Sequence, residues 1–172
     1  MNYEKYIRTV YDFPTPGVEF KDISPLLFDA DAFHQAIEEM AAACKDCDVI
    51  IGADARGFVF GAAIALRLKK PFLMARKKHK LPGDVVTIEY GLEYGKNTLE
   101  LQTGFLQPGQ KVAVCDDVLA TGGTNEAVVR LAEQNGAKVE KVVVLVELAY
   151  LDGRKRLEDQ GYQVHSLVQY HQ

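Results

Sequence analysis

Four short, continuously apolar runs constrain this chain more than any other feature: Val49-Ile50-Ile51-Gly52, Phe72-Leu73-Met74-Ala75, Val112 to Cys115 and Val142 to Val146. A strand with one wet face alternates apolar and polar residues, so an unbroken apolar run marks a strand covered on both faces. Parallel sheets flanked by helices meet that requirement. The stretches between the runs supply the helices. Ala32 to Ala43 keeps Phe33, Ile37, Met40 and Ala41 at helical spacing, with Asp31 as the expected cap. Phe58 to Leu68 is alanine-rich, and Glu126 to Gln134 runs into the stop Asn135-Gly136. The expected fold class is α/β, a mainly parallel twisted sheet flanked by helices. At 172 residues the chain fits a single domain with a core that needs neither disulfides nor metal.

The remaining elements are less regular. Tyr3 to Tyr11 reads as a short helix, and Asp12 to Gly17, with Pro14 and Pro16, as a turn-rich loop. Val18 to Ile23 is a short extended piece. Val85 to Tyr90 and Thr98 to Gln102 alternate apolar and polar residues, as half-exposed antiparallel strands do, around the glycine-bracketed loop 91–95. A short helix over Arg154 to Gln160 and a weaker strand over Val164 to Val168 finish the chain.

Composition excludes several classes. A net charge of −4 gives no electrostatic footprint for nucleic acid, although Arg76 to Lys80 forms a local basic cluster. No apolar run approaches the ~20 residues that span a bilayer, and MNYEKYIRTV has no signal-peptide pattern, so a cytoplasmic location is expected. The three cysteines are too sparse for a disulfide framework. Cys44 and Cys47 form a C-x-x-C without the further ligands zinc would need, and read as free thiols; Cys115 reads as strand core.

In open parallel sheets, ligands bind beyond the carboxyl ends of the strands. Three loops are expected to share that edge: Asp54 to Gly57, Asp116 to Thr124 and Glu147 to Gly153. The middle one belongs to KVAVCDDVLATGGT, residues 111–124. There a buried strand is followed by Asp116-Asp117, where the strand should leave the sheet, and then by a turn of small and hydroxyl residues leading into a helix. Such a turn presents backbone amides to an anion, helped by the helix dipole. Acids near a helix start also favour its dipole without any ligand. Two in succession after a buried strand suit a further task, accepting hydrogen bonds from vicinal hydroxyls. Together these parts would grip a ribose 5-phosphate.

This stretch resembles the phosphoribosyl-diphosphate signature of the type I phosphoribosyltransferases. FPTPGVEFKDISPLL, GADARGFVFG, RKKHKLPGDV, YGLEYGKNTLELQ and VELAYLDGRKRL, in that order, are similar to the adenine phosphoribosyltransferases. The resemblance runs from about Ile7 to Tyr170. It implies the type I phosphoribosyltransferase fold with an N-terminal hood and base-recognition segment (1–30) and a mobile lid hairpin (76–102). The implied reaction joins adenine to 5-phosphoribosyl 1-diphosphate, giving AMP and diphosphate in purine salvage. Magnesium is the implied cofactor, held mainly by substrate and water, and a homodimer is the implied assembly.

By the same resemblance, Asp116 and Asp117 bind the ribose hydroxyls, and Ala120, Thr121, Gly122, Gly123 and Thr124 cradle the 5-phosphate. Asp54, Ala55, Arg56, Lys80 and Tyr94 attend the diphosphate. Val18, Glu19, Phe20, Lys21 and Leu151 form the adenine site, with Phe20 stacking and the strand backbone reading the base edge. Glu93 is the favoured proton-handling residue, so Glu93, Arg56 and Lys80 make up the catalytic set. Enzymes for 6-oxopurines usually place a lysine after the fourth strand, and Glu147-Leu148-Ala149-Tyr150 offers none. A nucleic-acid-binding regulator that kept the sugar-phosphate site is the alternative from another class; the charge balance argues against it.

Overall fold

The computed structural model describes residues 1–91 and 96–172. After a 3-10 turn at Tyr3–Tyr6 come strands β1 (Arg8–Tyr11) and β2 (Glu19–Asp22), then helices α1 (Ser24–Phe28) and α2 (Ala30–Cys44). The main body follows as β3 (Val49–Ala53), α3 (Arg56–Leu68), β4 (Phe72–Lys77), β5 (Val85–Tyr90) and β6 (Asn97–Gln102). The chain ends with β7 (Lys111–Leu119), α4 (Gly123–Gln134), β8 (Lys138–Leu148), α5 (Gly153–Glu158) and β9 (Gln163–Tyr170). Seven strands form one sheet in the order β5-β6-β4-β3-β7-β8-β9, and β1 and β2 form a separate antiparallel pair. β4, β3, β7, β8 and β9 run parallel, while β6 and β5 are antiparallel additions at one edge. This is the expected α/β fold.

Burial explains the unbroken apolar runs. Ile50, Cys115 and Val143 face a core layer filled by Phe60, Ile64 and Met40 from α3 and α2. Ile51, Val114 and Val144 face the opposite layer, filled by Val128, Leu131 and Leu157 from α4 and α5. Each fully buried aliphatic of this kind contributes roughly 1.5–3 kcal/mol relative to exposure. The three cysteines are free and buried, with Cys44 Sγ 4.0 Å from Cys115 Sγ.

Several local expectations are corrected. Tyr3 to Tyr11 is not a helix: Asn2 caps a single 3-10 turn, and Arg8–Tyr11 then extends to pair with β2. Pairing satisfies the β2 backbone, and Arg8 Nη2 meets Asp22 Oδ2 at 2.5 Å across the pair. Asp29, not Asp31, caps α2; its extended backbone lets Oδ1 accept from Ala32 N at 2.9 Å, three residues on. α3 begins at Arg56 rather than Phe58, and α4 at Gly123 rather than Glu126. β7 does not end before the acids. Asp116 still pairs with Val144, and the ladder continues to Leu119 opposite Glu147.

The end of β8 carries a buried ionic cluster. Glu147 accepts Arg154 Nε at 2.9 Å, Arg154 Nη2 at 2.7 Å and Ser166 Oγ at 2.6 Å. Burial alone would raise its pKa, but these donors and the guanidinium charge outweigh that and lower it. A lowered folded-state pKa means stability that is complete above the unfolded carboxylate value of about 4.3 and is lost as pH falls below it. Removing Arg154 leaves Glu147 buried and charged without its main partner. Arg154→Ala is therefore expected to destabilise the fold by about 3 kcal/mol in urea unfolding at pH 7, with a smaller deficit at pH 4.

Candidate active site

The sheet order reverses direction between β3 and β7. From β3 the chain crosses through α3 to β4 on one side; from β7 it crosses through α4 to β8 on the other. The two helices therefore lie on opposite faces, and a crevice opens beyond the carboxyl ends of β3 and β7. A cleft of about 410 Å³ occupies that place. Asp54 to Arg56 line one wall, Asp116 and Asp117 the floor, and Ala120 to Thr124 the other wall.

The floor is buried and acidic, with Asp116 8% and Asp117 3% exposed. Burial pushes the Asp116 carboxyl well above the usual carboxylate range, and the adjacent Asp117 charge adds to this. Asp117 N donates to Asp116 Oδ1 at 2.8 Å, which turns that carboxylate back along its own strand. Arg56 spans the cleft. Its Nε lies 2.7 Å from Asp117 Oδ2, and its guanidinium carbon sits 5.0 Å from the Phe20 ring centroid. Two parts distant in sequence, the N-terminal strand pair and the β3–α3 loop, thus meet over the acids.

The wall at Ala120 to Thr124 depends on glycine for steric reasons. Gly122 adopts φ +86°, a left-handed conformation open to glycine at little cost. The third loop lies directly behind it. A Cβ on Gly153 would stand 2.4 Å from Ala120 O and 2.9 Å from Leu119 Cδ1. Any side chain there would push the turn out of shape, so the loop 147–153 acts on the site through contact with Ala120 and Gly122. Only the packed structure identifies Gly153; in sequence it reads as one more loop glycine. Arg156 of α5 adds a brace, with Nε 2.6 Å from Glu126 Oε2 in the first turn of α4.

Other sequence candidates are distributed as follows. Ala55 lines the cleft, and Asp54 lines it while also meeting Arg76, whose Nε is 3.4 Å from Asp54 Oδ2. Lys77, not Lys80, lines the cleft; Lys80 is exposed on the following turn. Val18 is exposed, its N–H donating to Thr15 O and its carbonyl accepting from Phe13 N, both at 3.2 Å. Phe20 is half-buried and packs edge-on against Phe13 at 5.2 Å. Glu19 is half-buried 3.6 Å from Lys21 Nζ; Lys21 is buried, donates to Thr9 Oγ1 at 2.9 Å and lies over the Tyr170 ring. Leu151 sits in a 3-10 turn after β8, outside the lining of the cleft. Glu93 and Tyr94 lie outside the described residues. Sequence reading passed over Asn125, which lines the cleft at 2% exposure with Nδ2 lacking a hydrogen-bond partner among the described residues. Its position directly after the glycine turn was the available signal.

A buried acid pair, an amide-rich turn and a spanning arginine in one cleft can hold vicinal hydroxyls and phosphate groups together. Residues 27–169 match the family described as "Phosphoribosyl transferase domain". An adenine phosphoribosyltransferase of Mycoplasmopsis agalactiae is 52% identical over 170 residues, covering 99% of this chain and 100% of that protein. The crystal structure of adenine phosphoribosyltransferase from Thermoanaerobacter pseudethanolicus is similar with a TM-score of 0.90 and 42% identity, over 97% of each chain. The Giardia lamblia enzyme complexed with 9-deazaadenine gives a TM-score of 0.92 at 36% identity, over 99% of this chain and 97% of its own. The chain belongs to the adenine phosphoribosyltransferase family.

Proposed function

We propose that this protein transfers the 5-phosphoribosyl group from 5-phosphoribosyl 1-diphosphate to adenine, releasing AMP and diphosphate in purine salvage. The observation that carries this reading is the single cleft at the strand reversal, where Asp116, Asp117, the Ala120–Thr124 turn and Arg56 converge. Family membership, together with the 9-deazaadenine bound by the Giardia relative, supports adenine as the base.

Each residue has a task that follows from its chemistry. The Ala120–Thr124 amides and hydroxyls hold the 5-phosphate at the start of α4, where the dipole favours an anion. Asp117 and Asp116 accept from the ribose hydroxyls. Arg56 exchanges its ion pair with Asp117 for the diphosphate when substrate enters, which also uncovers the Phe20 ring for the base. Breaking the anomeric C–O bond moves charge onto the departing diphosphate. Arg56, with Lys77 and Lys80 from the basic turn, stabilises it; one preorganised donor of this kind is typically worth ~2.7–4 kcal/mol. Glu93 is the proposed proton carrier and Tyr94 a diphosphate contact. Segment 1–30 serves as hood over the base and 76–102 as lid hairpin, excluding water from the activated sugar.

Magnesium fits this cleft. The described residues bring no three His, Cys, Asp or Glu side chains together around a metal, so magnesium would be held mainly by substrate and water, beside Asp116 and Asp117. When bound it offsets charge on the diphosphate. No helix of the described residues is long and apolar enough to cross a membrane. A cytoplasmic homodimer is proposed. Val59 and Leu66 on α3 are 41% and 81% exposed and stand seven residues apart on one helical face, a surface suited to a second copy.

Turnover with magnesium and 5-phosphoribosyl 1-diphosphate is expected with adenine and to be much slower with guanine or hypoxanthine; equal rates with guanine would overturn the base assignment. Asp117→Asn and Arg56→Ala are each expected to lower kcat/KM about 100-fold or more with unchanged circular dichroism. Asp116 behaves differently. Its raised pKa means that ionisation at neutral pH costs stability, so Asp116→Asn should raise Tm while cutting activity. Light scattering should report a dimer, and Leu66→Glu should shift it toward monomer.

A further inference from the structure

Glu100 is one of the polar residues of the alternating stretch Thr98 to Gln102, yet it is 7% exposed. It lies in β6 opposite Arg76 of β4 and Thr87 of β5, so it sits at the centre of the antiparallel edge. One carboxylate oxygen accepts the His79 backbone N–H at 2.7 Å, and the other accepts Thr87 Oγ1 at 3.0 Å. His79 has φ +64°, a left-handed conformation that costs a residue with a side chain more than it costs glycine. The turn it forms closes with Lys80 N donating to Lys77 O at 3.2 Å. On its other side, Asp54 Oδ2 lies 3.4 Å from both Arg76 Nε and Lys77 N, and Arg76 Nη1 lies 3.4 Å from Lys80 O. The basic turn is therefore held between the β3–α3 loop and the β5–β6 hairpin.

We infer that Glu100 is a positioning residue: through the His79 amide it fixes the left-handed turn that joins Lys77, at the rim of the cleft, to Lys80. The carboxylate does not line the cleft and acts only through the turn. The lowered pKa of Glu100, caused first by the His79 amide, keeps it an acceptor at neutral pH. Thr87 pins the same carboxylate from the outer strand, so displacement of the hairpin is transmitted to the turn. The inference rests on the assignment of Lys77 and Lys80 to the diphosphate.

The test combines variants with exchange measurements on the full-length protein. Glu100→Ala is expected to raise KM for 5-phosphoribosyl 1-diphosphate about 10-fold while leaving KM for adenine unchanged. Glu100→Gln retains an oxygen acceptor for His79 N and should stay near wild type. His79→Gly adopts the left-handed turn unaided, so in the Glu100→Ala background it should restore most of the lost affinity. A purely structural role would lower Tm and damage both substrates alike, and His79→Gly would not repair it. The His79 amide should exchange with deuterium more slowly in the unmodified protein than in Glu100→Ala. Exchange at the same rate in the two, an equal rise in both KM values, or no rescue would overturn the inference. If Lys77→Ala/Lys80→Ala leaves the diphosphate-substrate KM unchanged, the assignment to the diphosphate fails and the inference with it; an effect there with none in Glu100→Ala defeats the latch alone.

Discussion

Everything at the site depends on the parallel pairing of β3 with β7, Val49 to Gly52 against Val112 to Cys115. That pairing brings two loops separated by sixty residues of chain to one edge of the sheet. Because the sheet is built outward from it in both directions, α3 and α4 must cover opposite faces, and neither can close the crevice between the strand ends. The crevice is thus a consequence of topology. Its chemistry comes from what each strand delivers there: a loop with Arg56 from β3, and paired acids with an amide-rich turn from β7.

The acids illustrate a conflict between stability and function. Burial raises Asp116, and an adjacent carboxylate raises it further, so the floor is an unfavourable place for charge until donors arrive. Arg56 sets its charge 2.7 Å from Asp117 Oδ2, an ion pair by distance, while that oxygen accepts no hydrogen bond among the described residues and keeps its acceptor capacity for a ligand. The pair holds the site together and also reserves the arginine for the task proposed for it. Support for the Ala120–Thr124 turn is likewise indirect. Gly153 presses on Ala120, Arg156 ties α5 to Glu126 of α4, and the buried Glu147–Arg154 cluster anchors the start of α5.

Much of this was legible in the chain. The apolar runs gave the strands because double-sided burial leaves no room for alternation, and Asp116 to Thr124 stood out as a cleft-lining stretch because paired acids and a glycine turn follow a buried strand. Errors came where a tertiary partner overrode local pattern. Arg8–Tyr11 became a strand because β2 offered a ladder, and β7 ran through its acids because β8 extended beside it. Glu100 stands in an alternating strand, yet the basic turn folds back over it and its carboxylate accepts the His79 N–H.

By itself, then, the sequence determined the fold class and the succession of buried strands and covering helices from β3 onward, since hydrophobic period and turn chemistry are local properties that survive without knowledge of neighbours. Tertiary structure alone decided that Lys77 joins Arg56 in lining the cleft, and which glycine the Ala120–Thr124 turn leans on, Gly153. It also decided that Arg56 bridges Asp117 and Phe20. These are matters of a few ångströms between groups far apart in the chain. They are settled by how helices and strands pack together, which no local pattern encodes.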